Sequence, residues 1–186
     1  MEEEVPVLTT NNLILRPIVE KDIPGLYTLF SSEAVMQFMD VEIFTSVSEA
    51  AQMVTFFREK MSSGEGLRWA ICFKDNDELI GTCGFHHISR SNYKCEIGYD
   101  LIPAFWGKGI MTHAIHCLLK YGFEGLQLNR IEAIIDPTNI NSYKLLDRLG
   151  FQREGFHRQA FYEKGRFIDV YIYSMLQSDY KNELHF

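Results

Sequence analysis

The middle of the chain joins a strand, a glycine-rich turn and an amphipathic helix in immediate succession. The strand predicted over residues 94–102 alternates in side-chain type, and the turn reads Trp106-Gly107-Lys108-Gly109. The following helix has a stripe of apolar and small side chains, namely Met111, Ala114, Ile115, Leu118, Leu119, Gly122 and Phe123. Glycines let a backbone approach a ligand, and the free N–H groups of a helix N-terminus favour an anion. This arrangement predicts a phosphate-binding turn or, alternatively, a tight turn whose glycines only begin the helix.

The turn is neither of the two common nucleotide-binding glycine motifs. It lacks the G-x-x-x-x-G-K-[ST] order of a Walker A loop. In a dinucleotide-binding fingerprint, the third glycine of G-x-G-x-x-G would fall on Thr112. A nucleotide-binding regulatory domain is therefore disfavoured.

Periodicity over the whole chain predicts the order β-α-α-β-β-β-α-β-α-β-β, with no repeat and no linker. Capping signals bound three helices: Asp22 begins the first, Ser46 with Glu49 begins the second, and Gly150 ends the last. Short turns predict hairpins, whereas a helix between the strands at 94–102 and 130–135 predicts a parallel crossover. The predicted fold class is α/β, with a mixed sheet, in one domain spanning residues 1–186.

Composition excludes several classes of partner. The chain has 18 Lys and Arg residues against 25 Asp and Glu, a formal net charge of -7, which disfavours direct nucleic-acid binding and weakly suits a cationic partner. No apolar run approaches the about 20 residues of a membrane helix, and the start Met1-Glu2-Glu3-Glu4 is unlike a secretory signal. A cytoplasmic protein without a membrane partner is expected. The cysteines form no C-x-x-C pair and are expected to be reduced, mostly core residues, namely Cys72, Cys83, Cys95 and Cys117.

Two segments, in order and at this spacing, resemble a known family. Ile97-Gly98-Tyr99 followed by Trp106-Gly107-Lys108-Gly109-Ile110-Met111-Thr112 resembles motif A of the GCN5-related N-acetyltransferases (GNAT superfamily). Asn139-Ile140-Asn141-Ser142, Leu149-Gly150-Phe151 and Glu154-Gly155 resemble their motif B. The chain is also similar to the RimJ/RimL branch, which acetylates N-termini of ribosomal proteins, at Leu13-Ile14-Leu15-Arg16-Pro17 and at residues 169–176. The resemblance covers residues 8–180.

The resemblance implies a GNAT fold, with a mixed, mostly antiparallel, splayed sheet, helices on both faces and acetyl-CoA in the cleft between two parting strands. It implies that backbone N–H groups of the turn hold the pyrophosphate and that the strand before it pairs with the pantetheine arm. The residues implied in cofactor binding are Leu101, Ile102, Trp106, Gly107, Lys108, Gly109, Ile110, Met111, Thr112, Asn139 and Ser142. Trp106 and Met111 depart from the superfamily's polar and small residues at their positions. The departure is expected to be minor, because the main chain binds the phosphate.

Three residues each have two interpretations, a role in catalysis or cofactor binding and a simpler alternative role. Glu96 matches a frequent general base of the superfamily and would act through water; it could instead bind substrate or serve structure. Ser142 is the candidate that protonates the leaving thiolate, but an early-helix serine can also satisfy backbone groups. Asn139 would bond the pantetheine, yet asparagine is also a favoured N-cap residue.

The histidines do not predict a metal site. His86 and His87 are adjacent in a strand and are expected to point to opposite faces, so that they cannot bind one ion. His113 and His116 are three residues apart on a helix, with no third ligand apparent. Either His86 or His87 could lie near the acceptor.

The sequence predicts an acetyl-CoA-dependent enzyme that acetylates a primary amine by direct attack, with no metal. The acceptor implied by the RimJ/RimL resemblance is a protein N-terminus. The alternatives are a small amine, such as an antibiotic or a polyamine, and a CoA-binding module without catalysis. Exposed strand edges in such a fold would permit a homodimer.

Overall fold

The protein forms one eight-stranded sheet in the order β1-β2-β3-β4-β5-β6-β8-β7. A computed structural model describes residues 5–180. The prediction that the chain has no secretory signal rests on residues 1–4, which lie outside the described residues. The strands are β1 (Leu8–Thr9), β2 (Leu13–Pro17), β3 (Gly66–Phe73), β4 (Leu79–Ser89), β5 (Lys94–Leu101), β6 (Arg130–Ile135), β7 (Gln152–Glu163) and β8 (Arg166–Leu176). All pairs are antiparallel except β5 with β6. The mixed, mostly antiparallel sheet predicted from the sequence is confirmed.

Within residues 5–180, five α-helices connect and cover the strands: α1 (Ile23–Phe30), α2 (Glu33–Met36), α3 (Val47–Ser62), α4 (Ile110–Lys120) and α5 (Ile140–Leu149). A π-helical turn, Tyr121–Gly125, continues α4. No helix within residues 5–180 is long and apolar enough to cross a membrane.

Alternation along the strands builds a hydrophobic core on each face of the sheet. On β3, Trp69 and Ile71 are buried against α4 and α5, whereas Ala70 and Cys72 are buried against the helices α1 to α3. Successive strand residues point to opposite faces, so one strand contributes to both cores. Helices therefore lie on both faces, as predicted. The four cysteines are free thiols, three of them buried, as predicted: Cys72, Cys83, Cys95 and, half-buried, Cys117.

The capping signals are confirmed for two helices and corrected for one. At the start of α3, the Glu49 carboxylate accepts the Ser46 N–H at 2.7 Å, and Gly150 ends α5 with φ 87°. Asp22 occupies the N-cap position of α1, but its side chain does not cap the helix. Its carboxylate instead accepts two hydrogen bonds of 2.8 Å from the buried Arg16 guanidinium. A buried cation competes more strongly for a carboxylate than a helix N–H does.

The parallel contact between β5 and β6 is short. Only Lys94, Cys95 and Glu96 of β5 pair with β6, on Arg130, Ile131 and Glu132. Beyond Glu96, β5 stays paired with β4, and β6 stays paired with β8. The two strands therefore part and open a cleft in the sheet, which is the splay that the family resemblance implied.

Candidate active site

The cleft is bridged by one hydrogen bond between side chains. Tyr99 lies on β5 beyond the point where the strands part, and its hydroxyl oxygen is 2.8 Å from that of Ser142 on α5. Ser142 is buried, with 8% of its surface exposed. Burial raises the pKa of Tyr99, so the phenol keeps its proton and can donate it to the Ser142 oxygen. The serine hydroxyl is then free to donate its own proton into the cleft.

Ser142 was predicted as a site residue from the sequence, whereas Tyr99 was not. The alternation of β5 puts Tyr99 on the same face as Cys95 and Ile97. Ser142 follows 43 residues later, in a different helix. Tyr99 could have been predicted by combining two observations, its face of β5 and the position of Ser142 at the start of α5.

The glycine-rich turn leads from β5 into an open helix N-terminus. Gly107 and Gly109 have φ angles of 72° and 76°, in the left-handed region that favours glycine. The first turn of α4 is marked by a hydrogen bond from the His113 N–H to the Gly109 carbonyl, 3.2 Å. The N–H groups before it have no intrahelical partners, as at any helix N-terminus, and the turn that leads into them, residues 106–109, is exposed. Anion binding at Lys108, Ile110 and Thr112 stays a prediction.

Trp106 and Met111, which depart from the superfamily pattern, have structural explanations. The Trp106 indole N–H donates to the Leu101 carbonyl at 2.7 Å and so ties the turn to the end of β5. Met111 is buried in the core beneath α4, with 8% of its surface exposed. Its side chain therefore points away from the exposed turn and leaves the main chain accessible. Ile102 donates its N–H to Ile80 on β4 at 2.9 Å, which fixes the other end of the turn.

Asn139 has the structural role that its sequence position allowed. It is the N-cap residue of α5, and its side-chain oxygen accepts the Ser142 N–H at 3.2 Å. This hydrogen bond fixes the backbone that positions the Ser142 hydroxyl. A contact between Asn139 and the pantetheine stays a prediction.

Glu96 contacts both histidines that the sequence placed on opposite faces. His86 Nε2 lies 3.2 Å from one Glu96 oxygen, and His87 Nδ1 lies 3.1 Å from the other. The hydrogen bond from His86, with a further one from His87, lowers the pKa of Glu96 against the effect of its partial burial. The carboxylate is thus held ionised, which a general base requires.

The expectation that His86 and His87 point apart was wrong. The β4–β5 register shifts between His86 and Ser89, and His87 has a φ of 49°. This is a β-bulge, in which an extra residue breaks the alternation of side chains. The bulge turns His87 toward the carboxylate that His86 also contacts. The prediction of opposite faces failed because it assumed that β4 is a regular strand.

A buried polar group near Glu96 was not predicted from the sequence either. Arg68 on β3 pairs with Asp100, and its Nη2 donates to the Thr82 hydroxyl at 2.8 Å. Burial raises the pKa of Asp100, although the Arg68 charge and the hydrogen bonds act in the opposite direction. Gly98 lies between this group and the histidines: a Cβ there would lie 3.1 Å from both the Arg68 guanidinium and the His86 ring. Glycine at position 98 therefore makes room for both polar groups on this face of β5.

Comparisons with known proteins are consistent with this fold. The model of an acetyltransferase (GNAT) domain family matches residues 12–152. A relative from Bacillus licheniformis, an uncharacterized N-acetyltransferase p20, is 43% identical over 173 residues, covering 93% of this chain and 97% of the relative.

Two further similarities extend the comparison. A [ribosomal protein uS5]-alanine N-acetyltransferase of Escherichia coli strain K12 is 28% identical over 118 residues, covering 63% of this chain and 61% of that protein. The crystal structure of a probable acetyltransferase (GNAT family) from Chromobacterium violaceum ATCC 12472 superposes with a TM-score of 0.84. It is 26% identical, and the alignment covers 96% of this chain and 90% of the other.

Proposed function

The chain belongs to the GNAT acetyltransferase family and is an N-acetyltransferase, and on that basis we propose that it acetylates the N-terminal amine of a protein in a ternary complex with acetyl-CoA. The observation that carries the proposal is the hydrogen bond between Ser142 of α5 and Tyr99, which lies on β5 beyond the point where the two strands part. Glu96 is the last residue of β5 that pairs with β6, and it offers a carboxylate on the opposite face of β5 from Tyr99.

The turn before α4 supports binding of the cosubstrate's phosphates. Left-handed glycines at 107 and 109 leave open space where other residues carry a Cβ: a Cβ on Gly107 would meet no atom within 4 Å. The N–H groups at the start of α4 provide a partial positive charge. This local charge would hold the phosphates despite the overall charge of -7.

Two side chains have complementary roles in the proposed transfer. Glu96 accepts a proton from the acceptor ammonium through water, which leaves a neutral amine. That amine forms the new C–N bond as the C–S bond to the acetyl group breaks. Ser142 gives its proton to the departing thiolate, and the second proton of the attacking nitrogen returns to the serine oxygen through water, while Tyr99 holds that oxygen in place.

The acceptor class rests on charge and on a relative. The enzyme from Escherichia coli is described as acting on the alanine of a ribosomal protein. A protein N-terminus is cationic near neutral pH, as are many segments that bind RNA, and this chain carries the opposite net charge. Polyamines and aminoglycosides are cationic as well, so the relative decides between the acceptor classes, and an acetylated protein N-terminus is the product proposed here.

A turnover screen tests the proposal. Release of free thiol from acetyl-CoA is followed with peptides that begin with Ala or Ser, with the same peptides already N-acetylated, and with polyamines and aminoglycosides. We expect thiol release with the free N-terminal peptides and none with the blocked ones. Turnover confined to small amines would overturn the acceptor class. Cofactor binding without turnover on any acceptor would instead indicate a CoA-binding module.

Glu96→Gln tests the proposed base. Because general base catalysis contributes about 10²-fold or more, kcat should fall by about that factor. Glu132→Gln is the matched control, since Glu132 pairs with Glu96 in the adjacent strand and its carboxylate binds Lys94 and Arg130 instead. Equal losses in the two variants would remove Glu96 from the mechanism.

A further inference from the structure

Three side chains, two at the end of β4 and one on β5, converge on one point. The side chains of His86, His87 and Glu96 each offer a ligand atom, and these atoms all lie within 4.8 Å of one another. The two imidazole rings are 5.1 Å apart between centroids and are inclined at 70°, so each ring edge can face the same position. We propose that this cluster is a site for a divalent transition-metal ion such as Zn²⁺, and that its occupation stops acetyl transfer.

The donor set favours a first-row transition metal. Two imidazole nitrogens and one carboxylate are the protein ligands of many zinc sites that keep an open position. Imidazole suits Zn²⁺, Cu²⁺ and Ni²⁺, whereas Mg²⁺ and Ca²⁺ prefer oxygen ligands. A magnesium or calcium site is therefore not expected here.

The distances fit such an ion. Ligand bonds of about 2.0–2.1 Å in a tetrahedral site place neighbouring ligand atoms about 3.3 Å apart. The two nitrogen–oxygen separations here are 3.2 Å and 3.1 Å, each to a different oxygen of Glu96, and the three ligand atoms lie within 4.8 Å of one another, so that small side-chain rotations would complete the site. The ion would replace the N–H hydrogens that now point at the carboxylate, and each neutral ring would carry its hydrogen on the other nitrogen instead.

The bulge in β4 builds the cluster. A regular strand would turn His87 away from His86, but the positive φ of His87 brings both rings to Glu96. His87 is 75% exposed and His86 45%, so an ion with bound water can enter from solvent.

The charges beside the cluster do not oppose a cation. The Glu65 carboxylate, which is paired with Lys60, also interacts electrostatically with His87. The Arg68 guanidinium on the neighbouring strand is paired with Asp100. The cation would therefore meet the Glu96 carboxylate as a ligand, while these two charged neighbours are each part of an ion pair.

The consequence for activity rests on the proposed function. A carboxylate that binds a metal cannot also accept a proton from the acceptor amine. The ion would thus compete with the proton that Glu96 takes up in catalysis, and it would act as an inhibitor. Acetyl-CoA binding at the turn before α4 would be unaffected, because that turn supplies none of the three ligands.

The experiment measures metal binding directly. The full chain is freed of metal with a chelator and titrated with ZnCl₂ by calorimetry and with CoCl₂ by visible absorption. We expect one ion per chain and cobalt bands typical of nitrogen and oxygen ligands. His87→Asn is the sharpest variant, because asparagine tolerates a positive φ. It should weaken Zn²⁺ binding by about 10–100-fold or more.

His157→Asn is the matched control, since His157 is an exposed histidine on β7, away from the cluster. It should bind Zn²⁺ as the unchanged chain does. Equal affinity in the His87→Asn and His157→Asn variants, or no binding to the unchanged chain, would overturn the site. A second measurement follows thiol release with and without ZnCl₂. Zinc that binds through His87 yet leaves turnover unchanged would overturn the inhibitory role. If no acceptor supports turnover, the calorimetry still decides on the metal site.

Discussion

The hydroxyl groups of Tyr99 on β5 and Ser142 on α5 share a hydrogen bond of 2.8 Å. It places a hydroxyl donor at the opening between the parted strands and connects it to a phenol that burial keeps protonated. The Asn139 side chain accepts the Ser142 N–H and so fixes the serine backbone, and the Tyr99 hydroxyl fixes the serine side chain. The orientation of Ser142 thus depends on β5, on the N-cap of α5 and on α5 itself.

Ser142→Ala should lower kcat by about 10²-fold, because the leaving thiolate loses its proton donor. The affinity for acetyl-CoA, measured by calorimetry, should stay within about twofold, since a single hydroxyl contributes little to binding the whole cofactor. Ser62→Ala, at an exposed serine of α3, is the control. An unchanged kcat would exclude Ser142 from the mechanism.

Tyr99→Phe should lower kcat by about 2–12-fold, the equivalent of one hydrogen bond of about 0.5–1.5 kcal/mol. The decisive measurement is a double-mutant cycle with Ser142→Ala. A residue that only positions Ser142 has no further effect on kcat once the serine hydroxyl is gone. Independent losses in the double variant would show that Tyr99 acts by another route.

Gly109→Val should weaken acetyl-CoA binding by tenfold or more, because a side chain at this left-handed position covers the N–H groups at the start of α4. The backbone strain, about 1–2 kcal/mol, also lowers stability. Gly165→Val controls for that strain, since Gly165 has a φ of 78° in the turn between β7 and β8. If both variants bind acetyl-CoA as the unchanged chain does, the turn does not hold the phosphates.

Glu154→Gln should reduce stability at neutral pH and have less effect in acid. Hydrogen bonds from Arg130 lower the pKa of Glu154 from 4.5 to about 2. A carboxylate whose pKa is lower in the folded state stabilises the fold above pH 4.5, and this contribution disappears as the pH falls toward 2. The pair is half-exposed, so we expect a few tenths to about 1 kcal/mol.

Urea unfolding at pH 6 and pH 3 measures this difference in stability. Glu42→Gln, at an exposed position, is the control. A stability difference between Glu154→Gln and the unchanged chain that grows on acidification would contradict the assignment of the ion pair.

Much of the fold followed from local chemistry in the sequence. Ser46 with Glu49 and Gly150 at the end of α5 mark helix ends because each acts on backbone groups a few residues away. The alternation around Trp69 and along β5 identified buried faces, because a strand has a period of two. The short elements β1 and α2 were missed, since two and four residues are too few to show a period.

The parts of the site that could not be predicted depend on distant residues. Tyr99 and Ser142 are 43 positions apart, and Arg68 and Asp100 are 32 apart. The bulge at His87 is a local departure from regular geometry that sequence periodicity averages away. Asp22 was assigned to the wrong partner, because its competition with Arg16 exists only after β2 and the start of α1 have packed.

The brief pairing of β5 with β6 also has a mechanical meaning. Three residue pairs join these strands, whereas six join β6 to β8. Among the described strands, only the edge strand β1 is held by fewer pairs, two with β2, so under tension across the sheet the body of the molecule would separate between β5 and β6. Acetyl-CoA bound between the parted strands would contact both of them and hold them together. The cosubstrate would therefore also raise the mechanical stability of the enzyme under tension.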